Sequence, residues 1–239
     1  MQDAGDKASS YGFLEPLGHT GRGGTTDRVQ AMLREAIIDF DFAPGADIDK
    51  LAICERLGVS RFPVSEALAR LQSEGLVEIL PQRGTKVARI RLADVRQSMF
   101  IRRALEAQAV RSLAEPHDAG LIAALERNLR YQRAASAAGD RMGFHALDLE
   151  FHQILLDALG FARVKSTVEA ARSSLDRVRR MLSSPRRHAL TLAEHQKIVV
   201  ALKAGDAEAA ARAMEHHLDR VIDELLIFAA NNPTLFEDL

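Results

Sequence analysis

The stretch "LGVSRFPVSEALARLQSEGLVEILPQRGTKV", residues 57–87, decides how this chain folds. Gly58 stops the short helix "DKLAICERLG", because glycine takes the left-handed helix-ending conformation without a Cβ penalty. Ser60 stands at the cap of the next helix. Pro63 falls in that helix's first turn, where a missing N–H costs little. Gly75 ends the helix. Two short β-branched runs then flank Pro81-Gln82-Arg83-Gly84, which reads as a small hairpin. The opening turn of the second helix holds Arg61 and Phe62, and a plain core helix would put neither there.

Upstream, "TDRVQAMLREAIIDF" places Val29, Met32, Leu33, Ala36 and Ile37 at helical spacing, with Thr26 or Asp27 as the expected cap. "APGAD" is a turn. Helix, short helix, turn, helix and hairpin follow in the order of a winged helix-turn-helix, whose second helix enters the major groove by its N-terminal end. That gives Arg61 a purpose, since a guanidinium bonds guanine bidentately or clamps a phosphate. Arg83, at the hairpin tip, reaches a neighbouring groove or backbone. Residues 50–91 hold eight Lys/Arg against four acids, in a chain whose formal net charge is −1. The alternative is an ordinary solvated helix hairpin serving protein–protein contact.

Composition sets wider bounds. The chain has 239 residues, 47% hydrophobic, enough for two modest domains with cores. No apolar run approaches membrane-spanning length, and the N-terminus lacks a signal-peptide core. The single cysteine, Cys54, forms no internal disulfide, so a reducing cytoplasm is expected. Residues 1–25, rich in Gly, Ser and Thr without period, read as a flexible or loosely docked arm. The DNA-binding unit is assigned to 26–91.

From Leu92 no strand signal appears. Helical segments at roughly 92–114, 119–138, 141–159, 161–182, 187–204 and 206–230 are joined by short breaks, which predicts an antiparallel six-helix bundle over 92–232. The fold class is therefore mainly α, a winged helix-turn-helix followed by an all-α bundle. Three apolar stripes in the bundle are interrupted by polar residues. One runs Phe144, Asp148, His152, Leu155; another Leu192, His195, Val199; the last Met214, His217, Val221. His216 falls on the wet side, and His188 is a weaker inward candidate. Each histidine alone reads more simply as a satisfied core residue. Together, a carboxylate and three imidazoles projecting inward from three helices suit one divalent transition metal per chain: zinc first, with nickel, manganese or iron as alternatives. On 92–114, Arg102 shares a face with Met99 and Glu106. It is a candidate to hold a carboxylate effector beside the metal, or else a plain i, i+4 partner of Glu106.

Residues 27–90 resemble the DNA-binding domain of GntR-family bacterial transcription regulators, through "LREAI", "PG", "LGVSR", "EAL", "EGLVE" and "RGTKV". The resemblance implies that Arg34, Ser60, Arg61, Phe62, Arg83 and Gly84 face DNA. Ser65 stands where the family usually has arginine, and Phe62 where a small polar residue is common; both departures imply altered operator preference. Residues 92–230 are similar to the FCD effector domain of the FadR subfamily, through "IRRALE", "LDLEFHQILL", "EHQKIVVAL" and "MEHHLDRV". That similarity implies Asp148, His152, His195 and His217 as metal ligands and Arg102 as the effector arginine. It further implies a homodimeric repressor, a near-palindromic operator in double-stranded DNA, and a small carboxylate effector. Neither catalysis nor a membrane partner is expected. Two competing readings remain: a metalloenzyme that activates water on the Asp/His centre, and a metal that only staples the bundle.

Overall fold

The computed structural model describes residues 11–18, 24–115, 118–173 and 175–237. It divides into two compact units. One comprises the chain through Leu92 together with the segment from Asn232 on; the other spans Ala93–Asn231.

In the first unit, α1 (Thr25–Ile38), α2 (Lys50–Leu57) and α3 (Arg61–Ser73) stand beside a small sheet. The sheet holds three strands, β1 (Asp47–Ile48), β2 (Val77–Leu80) and β3 (Gly84–Val87), with β3 in the middle and both pairings antiparallel. The hairpin register pairs Val77 with Val87 and Leu80 with Gly84. Gly84 has φ +96°, where only the backbone conformation, not space, excludes a side chain. The two-residue β1, flanked by turn residues, is too short to show a period in sequence. The core is the shared apolar face of Val29, Leu33, Ile53, Leu57, Val64, Leu68 and Leu71.

Caps depart from expectation in two places. The first helix is capped by Gly24, whose N–H donates to the Asp27 carboxylate, so Asp27 works from inside the helix. Ser60 does occupy the cap of α3, but its hydroxyl makes no capping bond. Asp49 caps α2 fully, accepting from the N–H groups of Leu51 and Ala52.

The flexible arm expected over 1–25 does not hold for residues 11–18. Tyr11 and Leu14 are buried in the core of this unit. Arg56 donates to the carbonyls of Leu14 (2.6 Å) and Gly12 (3.0 Å), and the Asp49 N–H donates to the Tyr11 hydroxyl. Tyr11, Phe13 and Phe42 form an aromatic cluster. A few well-placed apolar side chains dock a segment whose composition alone reads as loose. The rest of the expected arm, apart from Gly24 and Thr25, lies outside the described residues.

The second unit is all helical. It contains α4 (Leu92–Leu113, from Ala93 on), α5 (Ala119–Ala138), α6 (Arg141–Leu159), α7 (Ala162–Ser173), α8 (Asp176–Leu182), α9 (Pro185–Lys203) and α10 (Ala207–Asn231). The segment expected as one helix over 161–182 is two, α7 and α8. The break leaves Leu175 and Val178 fully buried and brings Arg179 onto Asp148. Glycines 139, 160 and 205 end α5, α6 and α9 in left-handed conformations, which permits the tight returns of a bundle. A short 3-10 turn (Pro233–Leu235) and Phe236, bridged to Ile90, belong with the first unit rather than with the bundle, to which residue 232 was assigned.

Leu14→Ala is expected to destabilise the first unit by about 2–5 kcal/mol, because it empties a closed apolar site. Denaturant unfolding measures this. A variant as stable as wild type would restore the reading of a loose arm.

Candidate metal centre and DNA-reading face

Three helix faces build the bundle's interior site. α6 carries Asp148 and His152 one turn apart, α9 carries His195, and α10 carries His217. All four side chains are buried, and one ligand atom from each lies within 4.8 Å of the others. His216 is exposed, one residue's rotation away from His217.

The imidazoles are fixed in one tautomer by oxygen acceptors. His152 Nδ1 donates to Glu106 Oε2 (2.5 Å), His195 Nδ1 to Gln132 Oε1 (3.1 Å) and His217 Nδ1 to Glu194 Oε2 (2.8 Å). The Gln132 amide is itself oriented, since its Nε2 donates to Asn128 Oδ1 (2.7 Å). A neutral imidazole has one proton, so all three Nε2 atoms present lone pairs. His217 Nε2 and His152 Nε2 stand 3.3 Å apart with no proton to share. His195 Nε2 is buried without a hydrogen-bond partner, 3.6 Å from Asp148 Oδ1. Converging lone pairs repel unless a cation stands among them. Two donors on one zinc at about 2.1 Å lie roughly 3–4 Å apart. The donor set fits a divalent transition metal.

Burial pushes His152 down to about 4, against the opposing pull of Glu106, and pushes His195 well below the ordinary imidazole range, with His217 adding to it. Burial works to raise the Asp148 carboxyl, but Arg179 and then the three imidazoles outweigh it and hold it well below the usual range. Glu106 behaves alike: Arg102 and His152 together outweigh burial. His152 and His195 are thus held neutral and Asp148 anionic, the forms that bind metal.

A cavity of about 560 Å³, mouth included, opens onto Asp148 and His217. Arg179, Arg187 and His188 also line it. Arg179 donates to Asp148 Oδ2 (2.5 Å), leaving Oδ1 for the metal. Arg187 donates to Glu194 Oε2, the oxygen that also accepts from His217. His188 stacks on Phe144 and bonds Ser183, outside the ligand group. Arg102, expected as the effector contact, does not line this cavity. Its Nε donates to Glu106 (2.6 Å), so it orients the carboxylate that orients His152, and its Nη1 and Nη2 are buried without partners.

On the first unit, Arg61, Ser65, Arg83 and Gly84 are exposed, and Phe62 is 75% exposed despite its apolar ring. Ser60 is exposed beside them. Arg34 is held by Glu74 (3.1 Å), and Arg70 by Asp27 and Glu66. Among the described residues, Arg61 and Arg83 make no ion pair, so both charges are open to solvent at the helix start and the wing.

Residues 25–87 match the bacterial regulatory proteins of the gntR family, and residues 97–220 match the FCD domain. The chain is 35% identical over 216 residues to an HTH-type transcriptional regulator of an unstable DNA locus in Streptomyces ambofaciens, covering 89% of this chain and 91% of the relative. This chain belongs to the GntR family. Escherichia coli K12 has a relative 33% identical over 215 residues, the HTH-type transcriptional repressor RspR, covering 88% and 93%. A solved GntR transcriptional regulator from Rhodococcus sp. RHA1 superposes with a TM-score of 0.70 at 28% identity, covering 84% of this chain and 97% of that one. The present protein is therefore a transcription regulator with a GntR DNA-binding domain and an FCD domain.

Sequence reasoning about this GntR regulator missed Gln132, Glu194 and Arg179. Gln132 was findable: Leu121, Leu125, Asn128 and Gln132 form one inward stripe on α5, with two buried amides in it. Glu194 directly precedes a ligand and carries no periodic signal of its own. Arg179 depends on the break between α7 and α8.

His217→Ala is expected to empty or weaken the metal site, while His216→Ala leaves it filled. Metal content of both purified variants decides this, and the reverse result would rotate α10 by about 100°. A second expectation concerns acid. Between pH 6.5 and about 4 the unfolded chain protonates His152 whereas the folded chain does not, so metal-free protein loses stability as pH falls through that window. His195 acts in the same direction. Thermal unfolding of chelator-treated protein at stepped pH tests it; His152→Gln, which removes one titrating group, should flatten the slope.

Proposed function

We propose that this regulator is a metal-dependent repressor that binds a near-palindromic operator as a homodimer and responds to a small organic acid. The observation that carries the reading is the convergence of three tautomer-fixed Nε2 atoms and Asp148 on one point beside a cavity. Asp148, His152, His195 and His217 would hold one divalent metal, zinc by donor type. The metal supplies a Lewis-acidic position for an oxygen of the ligand. Arg179 and Arg187 stand at the cavity wall to orient a carboxylate. Arg102 keeps Glu106 ionised and His152 oriented, and offers its unpaired N–H groups to a ligand that reaches that depth. Access through the cavity to two ligands favours an effector-binding metal over a purely structural staple. The regulator family favours DNA control over catalysis.

On the DNA side, Arg61, Phe62, Ser65 and the wing residues Arg83 and Gly84 form the reading surface, and Arg34 and Ser60 support it. Arg34 contributes only while shared with Glu74. Effector control requires that the acid bind two dimer arrangements with different affinity, since equal binding shifts nothing.

Arg61→Ala is expected to cost on the order of 1–3 kcal/mol at a selected operator and little on scrambled DNA. Equal losses on both would assign Arg61 to phosphate alone. An organic acid titrated into metal-loaded protein should change operator affinity roughly 5–150-fold, and His195→Ala should abolish that response. A response that survives in His195→Ala would remove the metal from effector binding. Unfolding of the bundle on metal removal, with an unchanged acid response in the remaining folded protein, would favour the staple.

A further inference from the structure

Charge around the metal centre identifies the ligand class more narrowly than "organic acid". Four guanidinium groups gather there. Arg102 bonds Glu106, Arg179 bonds Asp148, and Arg187 bonds Glu194 and Glu224. Arg172, buried behind them, feels the charges of Arg179 and Arg102 and bonds only the Leu149 carbonyl. Four arginines thus face four carboxylates, Glu106, Asp148, Glu194 and Glu224. Metal-ligating imidazoles are neutral. These eight groups balance one another and Arg180 stands on the same cavity wall, so a divalent ion adds two positive charges to a buried, low-dielectric site with no net negative charge to receive them. Such a charge is costly unless an anion accompanies it.

Hydrogen bonding points the same way. Four buried guanidinium nitrogens lack any acceptor: Arg102 Nη1, Arg102 Nη2, Arg172 Nε and Arg179 Nε. Of the three side chains that hold these orphans, Arg179 stands on the cavity wall, with Arg180 and Arg187 beside it. A single carboxylate offers two oxygens, and one of them is engaged once it binds metal. What remains is too little to serve the guanidinium groups of the cavity wall. The cavity is open to the surface, so a second acidic group can extend into its mouth.

We infer that the effector is a dianion, a small dicarboxylate or a phosphomonoester, whose two negative charges match the divalent metal and whose oxygens meet the Arg179 and Arg187 guanidinium groups at the cavity wall, the unpaired Arg179 Nε among them. The inference rests on the effector reading above and extends it to ligand charge.

The experiment is calorimetric titration of zinc-loaded, full-length protein. The probes are C3 to C6 dicarboxylates, each against its own monoamide, and C3 to C6 polyol phosphates, each against the monocarboxylate of the same chain length. Each monoamide keeps the shape and removes one charge. Losing that charge and its hydrogen bonds should weaken binding roughly 10–100-fold. Preference among the dicarboxylates or among the phosphates identifies the source of the second charge. Arg179→Met should compress the dianion preference to within a few fold, and Arg179→Lys should retain most of it. The comparison of each dianion with its monoanion in wild-type protein stands even if Arg179→Met fails to fold. A monoanion that binds as tightly as its dianion partner overturns the inference and leaves the regulator reading standing. Binding of no acid of either charge overturns both.

Discussion

A neutral imidazole can donate from only one nitrogen, and the bundle is organised around that constraint. Each of three buried histidines gives its Nδ1 proton to an oxygen, from Glu106, Gln132 or Glu194. The choice forces each Nε2 lone pair into a common interior point. Those acceptors are themselves held, Glu106 by Arg102, Gln132 by Asn128, Glu194 by Arg187. A polar network of this kind is high in energy if half satisfied and specific if complete. Three Nε2 lone pairs and the Asp148 carboxylate meet at the centre of the present one, a donor set that suits a cation.

The same network links the cavity wall to the ligands. Arg187 touches both the cavity and Glu194, and Glu194 Oε2 also receives the His217 proton. Arg179 does the equivalent for Asp148. A group entering the cavity therefore meets arginines whose other contacts orient Asp148 and, through Glu194, His217. Removing one member leaves its partner buried and unpaired, a larger cost than the bond itself.

In the DNA-binding unit, burial and charge are divided differently. Apolar faces of three helices close the core, and the docked segment Tyr11–Gly18 extends it. Two arginines there, Arg34 and Arg70, are occupied by acids across or along the helices. Arg61 and Arg83 stand apart from such pairs at the helix start and the wing. Phe62 leaves its ring in water beside Arg61, an arrangement that makes sense for a surface meant to be covered.

Much of this was legible in the linear chain because it is periodic or punctuated. Gly58, Pro63 and Gly75 bound the second helix of the pair, and spacings of three and four put Asp148, His152, His195 and His217 on inward faces. These are local signals, arising from helix geometry and backbone conformation alone. Only tertiary structure decided the rest. Which oxygen receives each Nδ1 proton depends on residues up to 63 positions apart meeting at a few ångströms, as His195 and Gln132 do. The placement of Arg179 follows from a helix break that restores apolar burial at Leu175 and Val178. The docking of Tyr11 and Leu14 is decided by a cavity their own segment does not encode. Arg102 shares its face with Glu106 in sequence, yet whether that face meets ligand or carboxylate is set by the neighbours across the bundle, since a helix determines direction but not what lies in its path.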